Sequence, residues 1–446
     1  MLGFPFSLKN DSARVLLARG AILNLVVKAT GAALALLSEI VVARLLGVAT
    51  YGYYIYAVTW ASIMVMLCKF GFDAAAIRFV ATYREQGYWN LLHGYISFSL
   101  KRVLSISIVV AVLGVVVIGF LKNYMDDKLF PAMLLAPLIW PLLSTIQLNQ
   151  GILYGLKRVA IAELASSVVR PAGILILAFC ALLIGMGPVS AVAAVALNIV
   201  VTSAALALSI AVLRASLSTR EPALSTDRDR ALWQRTAGAM MIISGLNVLL
   251  IYTDIVMLGV FAQGAAVGLY GAAAKLAGAL IFFLLAVNSI LAPMVAGAHA
   301  RGQRSELQRI VSFGVGIVFT ATLVVTVPLL VFESDILTLF GDAFVKAGPV
   351  LNILIIGQLI NVAAGPVALL LNMTGHHQAS AQALALGALM NIVLNAVLIP
   401  KYGPIGAAVA TVLSTTFWNA TMSILVWKRL RIVAAFWGGL WRQAVT

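Results

Sequence analysis

Three cations stand inside long apolar runs of this chain: Lys28, Arg170 and Lys275. A charge near the middle of a bilayer costs about 2.5 to 3.5 kcal/mol on insertion scales, so each should face protein or a water-filled cavity and is a candidate binding group. Asn24, Lys28, Gly31, Ala35 and Glu39 recur at helical spacing and fall near one helix face, where the small residues leave space for a ligand. Glu163 and Ser167 lie on the same side of their helix as Arg170, and Pro171 weakens that helix locally. Lys275 is flanked by Gly271 and Gly278. Cations on different helices could hold a pyrophosphate in a desolvated space, Arg through forked contacts and Lys as a point charge. The alternative is structural: ion pairs of these cations with Glu39, Glu163 and Asp254.

A second constellation lies in the other half of the chain. Asp254, Asn391 and Asn395 at i and i+4, and Thr411 supply the oxygen ligands that a hard monovalent cation such as sodium requires. One carboxylate matches one such charge. The alternative is interhelical hydrogen bonding, with Asp254 protonated or paired to Lys275. His376 and His377 have no Cys or acidic partner at metal-ligand spacing and read as loop residues. Cys68 and Cys180 lie in apolar runs and read as small buried hydrophobes, not a disulfide framework.

The elements that carry these groups follow from composition. Of 446 residues, 62% are apolar and 10% charged, and the mean hydropathy of +1.05 excludes a water-soluble enzyme. Hydrophobic runs punctuated by Pro, Gly and charge predict twelve membrane-spanning helices at 15–43, 50–69, 96–121, 131–155, 158–184, 189–214, 233–258, 266–291, 307–332, 346–372, 377–399 and 404–427. β-barrel strands would alternate polar with apolar residues, so the fold class is all-α and polytopic. The chain carries 30 Lys and Arg against 15 Asp and Glu, a balance that membrane topology explains without nucleic acid. With the N-terminus in the cytoplasm, 22 of the 30 fall on the inner side and 5 on the outer, which favours both termini inside a cell inner membrane. The segment 72–93 and the stretch after Pro293 could lie along the cytoplasmic interface. Residues 215–232 read as a flexible linker between a lobe at 1–214 and a lobe at 233–428, and 429–446 as a basic, aromatic tail resting on the inner surface.

The chain repeats itself. EIVVARLLGVATYGYYIYA from Glu39 parallels DIVMLGVFAQGAAVGLYGAA from Asp254, so that Gly52-Tyr53-Tyr54 aligns with Gly268-Leu269-Tyr270. LYGLKRVA at 153 and GPVSAVAAVALN at 187 parallel MTGHHQAS at 373 and GPIGAAVATVLS at 403. A repeat of six helices keeps both halves in one orientation, related by an axis along the membrane normal. These segments, with FGFDAAAIRFVATY and MNIVLNAVLIPKYGPIGAAVATVLS, resemble the polysaccharide-transporter branch of the multidrug/oligosaccharidyl-lipid/polysaccharide exporter superfamily, the O-antigen type among them. The resemblance implies two six-helix lobes around a central cavity, and movement of an isoprenoid-pyrophosphate-linked oligosaccharide from the inner to the outer leaflet. Lipid II flippases of that superfamily are similar in the acid, Asn pair and Thr of the second constellation, but usually carry two further helices.

Flipping of an anionic lipid-linked oligosaccharide by alternating access is thus the leading expectation, without a cofactor and with coupling to Na+ or H+ open. A polysaccharide polymerase or glycosyltransferases would be its partners. A multidrug antiporter is the second reading, although buried cations suit cationic drugs poorly. A polytopic enzyme acting on lipid-linked sugar is the third. No Walker or nucleotide-sugar motif is present, and the outer connections are short. The charge asymmetry makes one direct prediction. A C-terminal fluorescent-protein fusion should fluoresce and a C-terminal alkaline phosphatase fusion should be inactive, and the opposite pattern would invert the topology.

Overall fold

A computed structural model describes residues 11–185, 189–217, 222 and 224–436; the side chains of 11–25, 242, 243, 246, 247, 263 and 289 lie outside the description. The described residues form helices and turns and contain no strand. The first half runs α1 (Asp11–Lys69), α2 (Phe72–Glu85), α3 (Trp89–Phe120), α4 (Phe130–Leu135), α5 (Ile139–Gly155), α6 (Val159–Glu163), α7 (Arg170–Leu183) and α8 (Ala191–Ser216). The second half runs α9 (Asp227–Phe261), α10 (Gln263–Ala279), α11 (Ile281–Ala300), α12 (Arg304–Val331), α13 (Glu333–Thr338), α14 (Gly348–Ala364), α15 (Val367–Met373) and α16 (His377–Leu430).

At 59 residues α1 would be about 88 Å long if straight, far more than one crossing needs. It breaks at Gly47, whose φ of 69° and ψ of 168° only glycine adopts cheaply. The 54-residue α16 breaks at Gly403 (φ 54°), between Pro400 and Pro404. Nine helical stretches among the described residues are long and apolar enough to span a bilayer. Val26–Lys69 and His377–Leu430 each hold two crossings and Val248–Phe261 forms the end of α9, which completes twelve spans.

The two six-helix lobes meet most intimately where α1 packs on α10. A Cβ built on Gly52 would lie 1.7 Å from the Gly264 carbonyl oxygen and 2.8 Å from the Gly268 nitrogen. Gly52 and Gly268 are the residues that the repeat equates. Contact between equivalent residues is what a two-fold axis passing between them produces. The fold is therefore a pair of pseudo-symmetric bundles joined by backbone-to-backbone contact that no side chain could enter.

Several expectations change at the basic end. The start of α2 is set by a tight turn at Phe70 and Gly71 (φ 48° and 77°), and the helix buries Phe72, Ala75, Ala76, Phe79, Val80 and Tyr83 against α3, α5 and α9. It is docked on protein as well as near the interface. The predicted linker 215–232 is helical from Asp227, because the Thr226 hydroxyl accepts from the Asp229 N–H while the Asp229 carboxylate accepts from the Thr226 N–H, a reciprocal cap. The rest of the linker lies partly outside the described residues. Trp233 follows two turns later and is fully buried among Tyr83, Tyr95 and Phe98 of the first half, its indole N–H donating to the Tyr83 hydroxyl at 2.9 Å.

The predicted surface tail also differs. Arg431 (φ 56°) ends α16 and turns the chain back on the protein. Val433 N–H donates to Gln308 Oε1 and Gln308 Nε2 donates to the Val433 carbonyl, each at 2.8 Å, and Phe436 stacks on Phe319 with ring centroids 4.4 Å apart. Residues 437–446 of that tail lie outside the described residues. Cys68 is buried as expected, whereas Cys180 is exposed on α7.

The lobe contact is testable. Gly52→Ala should lower the thermal midpoint of the detergent-purified protein by several degrees, because overpacking costs about 1–3 kcal/mol. Gly316→Ala, with nothing within 4 Å of the new methyl, should leave it unchanged.

Candidate functional site

Glu163 and Arg170 are separated by a π-helical stretch, Leu164–Val169, immediately ahead of Pro171. Pro171 has no N–H to give the preceding turn, and the wider turn absorbs the mismatch. The consequence is a change of register: Glu163 and Arg170 no longer share a face. Glu163, 4% exposed, accepts from Gln150 Nε2 at 3.1 Å and from the hydroxyls of Tyr154 and Ser167. Lys28 Nζ reaches the same carboxylate at 3.5 Å. Gly31 makes this approach possible, since a Cβ there would lie 2.4 Å from the Ser167 carbonyl oxygen.

Arg170 turns toward α8 instead. Its Nε donates to Thr202 Oγ1 at 3.2 Å and its Nη2 to Asn198 Oδ1 at 3.1 Å. The Asn198 amide in turn donates to the Tyr54 hydroxyl at 2.9 Å. Both immediate partners are neutral, and among the described residues no carboxylate stands within 4 Å of the guanidinium. Tyr54 and Glu39 are within electrostatic reach of both Arg170 and Lys275, so these two cations share one neighbourhood.

Lys275 crosses from the second lobe to the first, its Nζ 2.9 Å from Glu39 Oε1, while Glu39 Oε2 accepts from the Tyr51 hydroxyl at 2.9 Å. Lys275 keeps 47% of its side-chain surface exposed in this bridge. Lys28 is 49% exposed in its own pair. The structural alternative raised from sequence thus holds for Lys28 and Lys275, with their partners exchanged, and fails for Arg170. Glu39 joins Lys275 and not Lys28, three turns away; Glu163 joins Lys28; and Asp254 has no cationic partner among the described residues. Asn24 lies in α1, but its side chain is outside the described residues.

The second constellation does assemble. Asp254 is 3% exposed. Its Oδ1 accepts from Asn391 Nδ2 at 3.1 Å and Asn395 Nδ2 at 2.7 Å, and its Oδ2 accepts from the hydroxyls of Thr411 and Tyr270, each at 2.5 Å. Ser414 accepts from Asn391 Nδ2 at 3.3 Å. In this arrangement donors compensate a carboxylate. The Asn395 side-chain oxygen is left buried and without a partner. Asn395 Nδ2 also donates to Asn391 Oδ1 at 3.0 Å, so the two amides, the hydroxyls and the carboxylate form one connected oxygen-rich cluster.

Tyr270, Asn198, Thr202 and Tyr54 were not singled out as site residues. The signal was present for all four. Tyr54 and Tyr270 are equivalent in the repeat, and Asn198 with Thr202 shows the same i, i+4 polar spacing as Asn391 with Asn395.

Among known proteins, the probable low-salt glycan biosynthesis flippase Agl15 of Haloferax volcanii is 30% identical over 171 residues, which cover 36% of this chain and 35% of that relative. The chain thus spans about a third of the length of that curated relative. Among solved structures, the lipid II flippase MurJ in an inward closed conformation superposes with a TM-score of 0.72 at 14% identity, over 93% of this chain and 90% of that one. An inward-facing multidrug resistance MATE family transporter of the MOP superfamily gives 0.69 at 14% identity, over 92% and 98%. At these identities the structures establish a common fold. The model of one sequence family, described as polysaccharide biosynthesis protein, matches residues 17–299, well over half of the chain. A protein with this repeat, these twelve spans and that match belongs to the polysaccharide biosynthesis protein family.

Proposed function

We propose that the protein is a flippase that moves an isoprenoid-pyrophosphate-linked oligosaccharide from the inner to the outer leaflet by alternating access. The observation that carries this reading is Arg170, a guanidinium enclosed in the membrane domain and held only by neutral groups. The carboxylate within its electrostatic reach, Glu39, is already bridged to Lys275, so a phosphate oxygen is the natural direct counter-charge. Lys275 shares the neighbourhood of Glu39 and Tyr54 with Arg170, while Lys28 stands at Glu163; three cations against two carboxylates would give a crevice between the lobes a positive surplus for an anionic head group. The isoprenoid tail stays in the bilayer while the head crosses. The name of the archaeal relative, a flippase, supports the same reading.

Rocking of the lobes must break and remake the Lys275–Glu39 bridge between them. A diphosphate that pairs with Lys275 would release Glu39 and loosen the lobes from each other, so cargo binding would lower the barrier to the next state. Asp254 offers a means of coupling. A sodium ion or proton there would displace the Tyr270 donor, and Tyr270 lies on α10 five residues before Lys275. The membrane is the cell's inner membrane with both termini cytoplasmic, and glycosyltransferases or a polymerase would supply and consume the cargo.

The multidrug reading shares the fold. It predicts acids and aromatics facing the crevice, where this chain places Lys28, Arg170 and Lys275.

Two measurements follow. In proteoliposomes loaded with a lectin-detectable lipid-linked oligosaccharide, Arg170→Gln should slow appearance of the sugar on the far leaflet at least ten-fold without lowering the thermal midpoint. This matches the loss of one charge-assisted contact worth about 1.5–3 kcal/mol. An unchanged rate would sink the anion cradle, and export of an organic cation without sugar movement would favour the drug transporter. Asp254→Asn should leave a basal rate that no longer responds to an imposed Na+ or H+ gradient; a full response in that variant would remove Asp254 from the coupling step.

A further inference from the structure

At the basic end of α3, outside the crevice, lies a cavity of about 510 Å³. Ser97, Lys101, Arg102 and Ser105 line it from α3, and Ser225 and Arg230 close it from the segment that begins α9. Lys101 and Arg102 are exposed, and neither has a carboxylate within 4 Å among the described residues. Arg102 is steadied over the Phe98 ring at 5.6 Å. Arg230 donates to Ser225 Oγ at 3.1 Å, and its one acidic neighbour, Asp227, is 3.5 Å away and fully exposed, a pair that solvent screens strongly. Three cations and three serine hydroxyls therefore surround one space, with a single screened carboxylate at its edge.

The position of this space matters as much as its charge. Going into the membrane from Lys101, the same face of α3 presents Leu104, Ile108 and Val112, which are 48%, 50% and 58% exposed. Their spacing of four residues makes one continuous apolar track beneath the basic cavity. A basic space large enough for a phosphorylated head group, above a lipid-facing apolar track, suits a glycerophospholipid. Basic pockets at the cytoplasmic ends of spans hold anionic head groups in this way.

The cavity is also fixed in place. Leu224 N–H donates to the Asn90 carbonyl at 3.2 Å, and a Cβ on Gly94 would sit 2.2 Å from the Leu224 carbonyl oxygen. The interlobe segment is thereby pinned across α3. We propose that this cavity is a resident site for one anionic phospholipid, whose phosphate is held by Lys101, Arg102 and Arg230 and whose acyl chain lies along Leu104, Ile108 and Val112. The single negative charge of the lipid eases the repulsion among three cations, and the lipid fastens the interlobe segment to the first lobe. Its walls come from α3 and the start of α9, whereas the crevice cations sit on α1, α7 and α10. The site does not depend on the flippase reading.

The test uses the full chain purified in detergent. Phosphatidylglycerol should raise the thermal midpoint by several degrees and remain bound in native mass spectra, and phosphatidylcholine at the same mole fraction should do neither. Lys101→Gln/Arg102→Gln should weaken phosphatidylglycerol retention at least ten-fold. Ser105→Leu, which keeps every charge and fills the cavity, should do the same. Equal effects of the two lipids, or full retention by both variants, would overturn the proposal. Glycerol phosphate alone reproducing the shift would replace the lipid with a free phosphate ester. Displacement by equimolar isoprenoid pyrophosphate would reassign the cavity to the transported lipid. Transport by Arg170→Gln does not bear on any of these outcomes.

Discussion

A charged side chain inside a bilayer needs a counter-charge, a set of dipoles or water, and this protein uses a different combination for each of the three cations within its spans. Lys28 shares a carboxylate already satisfied by three other donors. Lys275 has a short bridge to Glu39 that also joins the two lobes. Arg170 hydrogen-bonds to dipoles alone, those of Thr202 and Asn198, with the Glu39 charge within electrostatic reach. The three cations thus form a gradient from ion-paired to held by neutral hydrogen-bond partners.

The two lobes are built from one pattern and used for different ends. Tyr54 and Tyr270 occupy equivalent positions, and each joins a polar cluster in its own lobe. In the first lobe Tyr54 belongs to the network around a cation, while in the second Tyr270 donates to an anion, Asp254. Duplication supplied a pair of buried polar sites, and the charge at the centre of each then set its chemistry. The close approach of Gly52 to the glycines of α10 keeps the two sites on either side of a common axis.

Much of this could be read from sequence, because hydropathy and helical repeat act locally. The twelve spans, the break at Gly403 with its flanking prolines, and the grouping of Asp254 with Asn391, Asn395 and Thr411 needed only spacing and the duplication. The ion pairing could not be read in this way. Spacing alone placed Glu163 and Arg170 on one face, and the π-helical stretch between them turned them apart. Partners of Lys28 and Lys275 lie 135 and 236 residues away in the chain, where rules of helical periodicity say nothing. The early start of α9 was missed because TDRD was counted as charge and not as a cap, and the docked tail because a basic, aromatic composition suits a lipid surface and a protein groove equally well.

The burial of Trp233 changes where the molecule is divided. The first turns of α9 belong by sequence to the second lobe, yet Trp233 is keyed among Tyr83, Tyr95 and Phe98, and the Ala237 carbonyl oxygen would lie 2.2 Å from a methyl on Gly71. Severing the covalent chain between the bundles would therefore leave them clasped. Any relative tilting of the bundles would have to be taken up farther along α9, as bending of a continuous rod clamped at one end, so that the stiffness of that rod, more than the length of the loop before it, would set its extent.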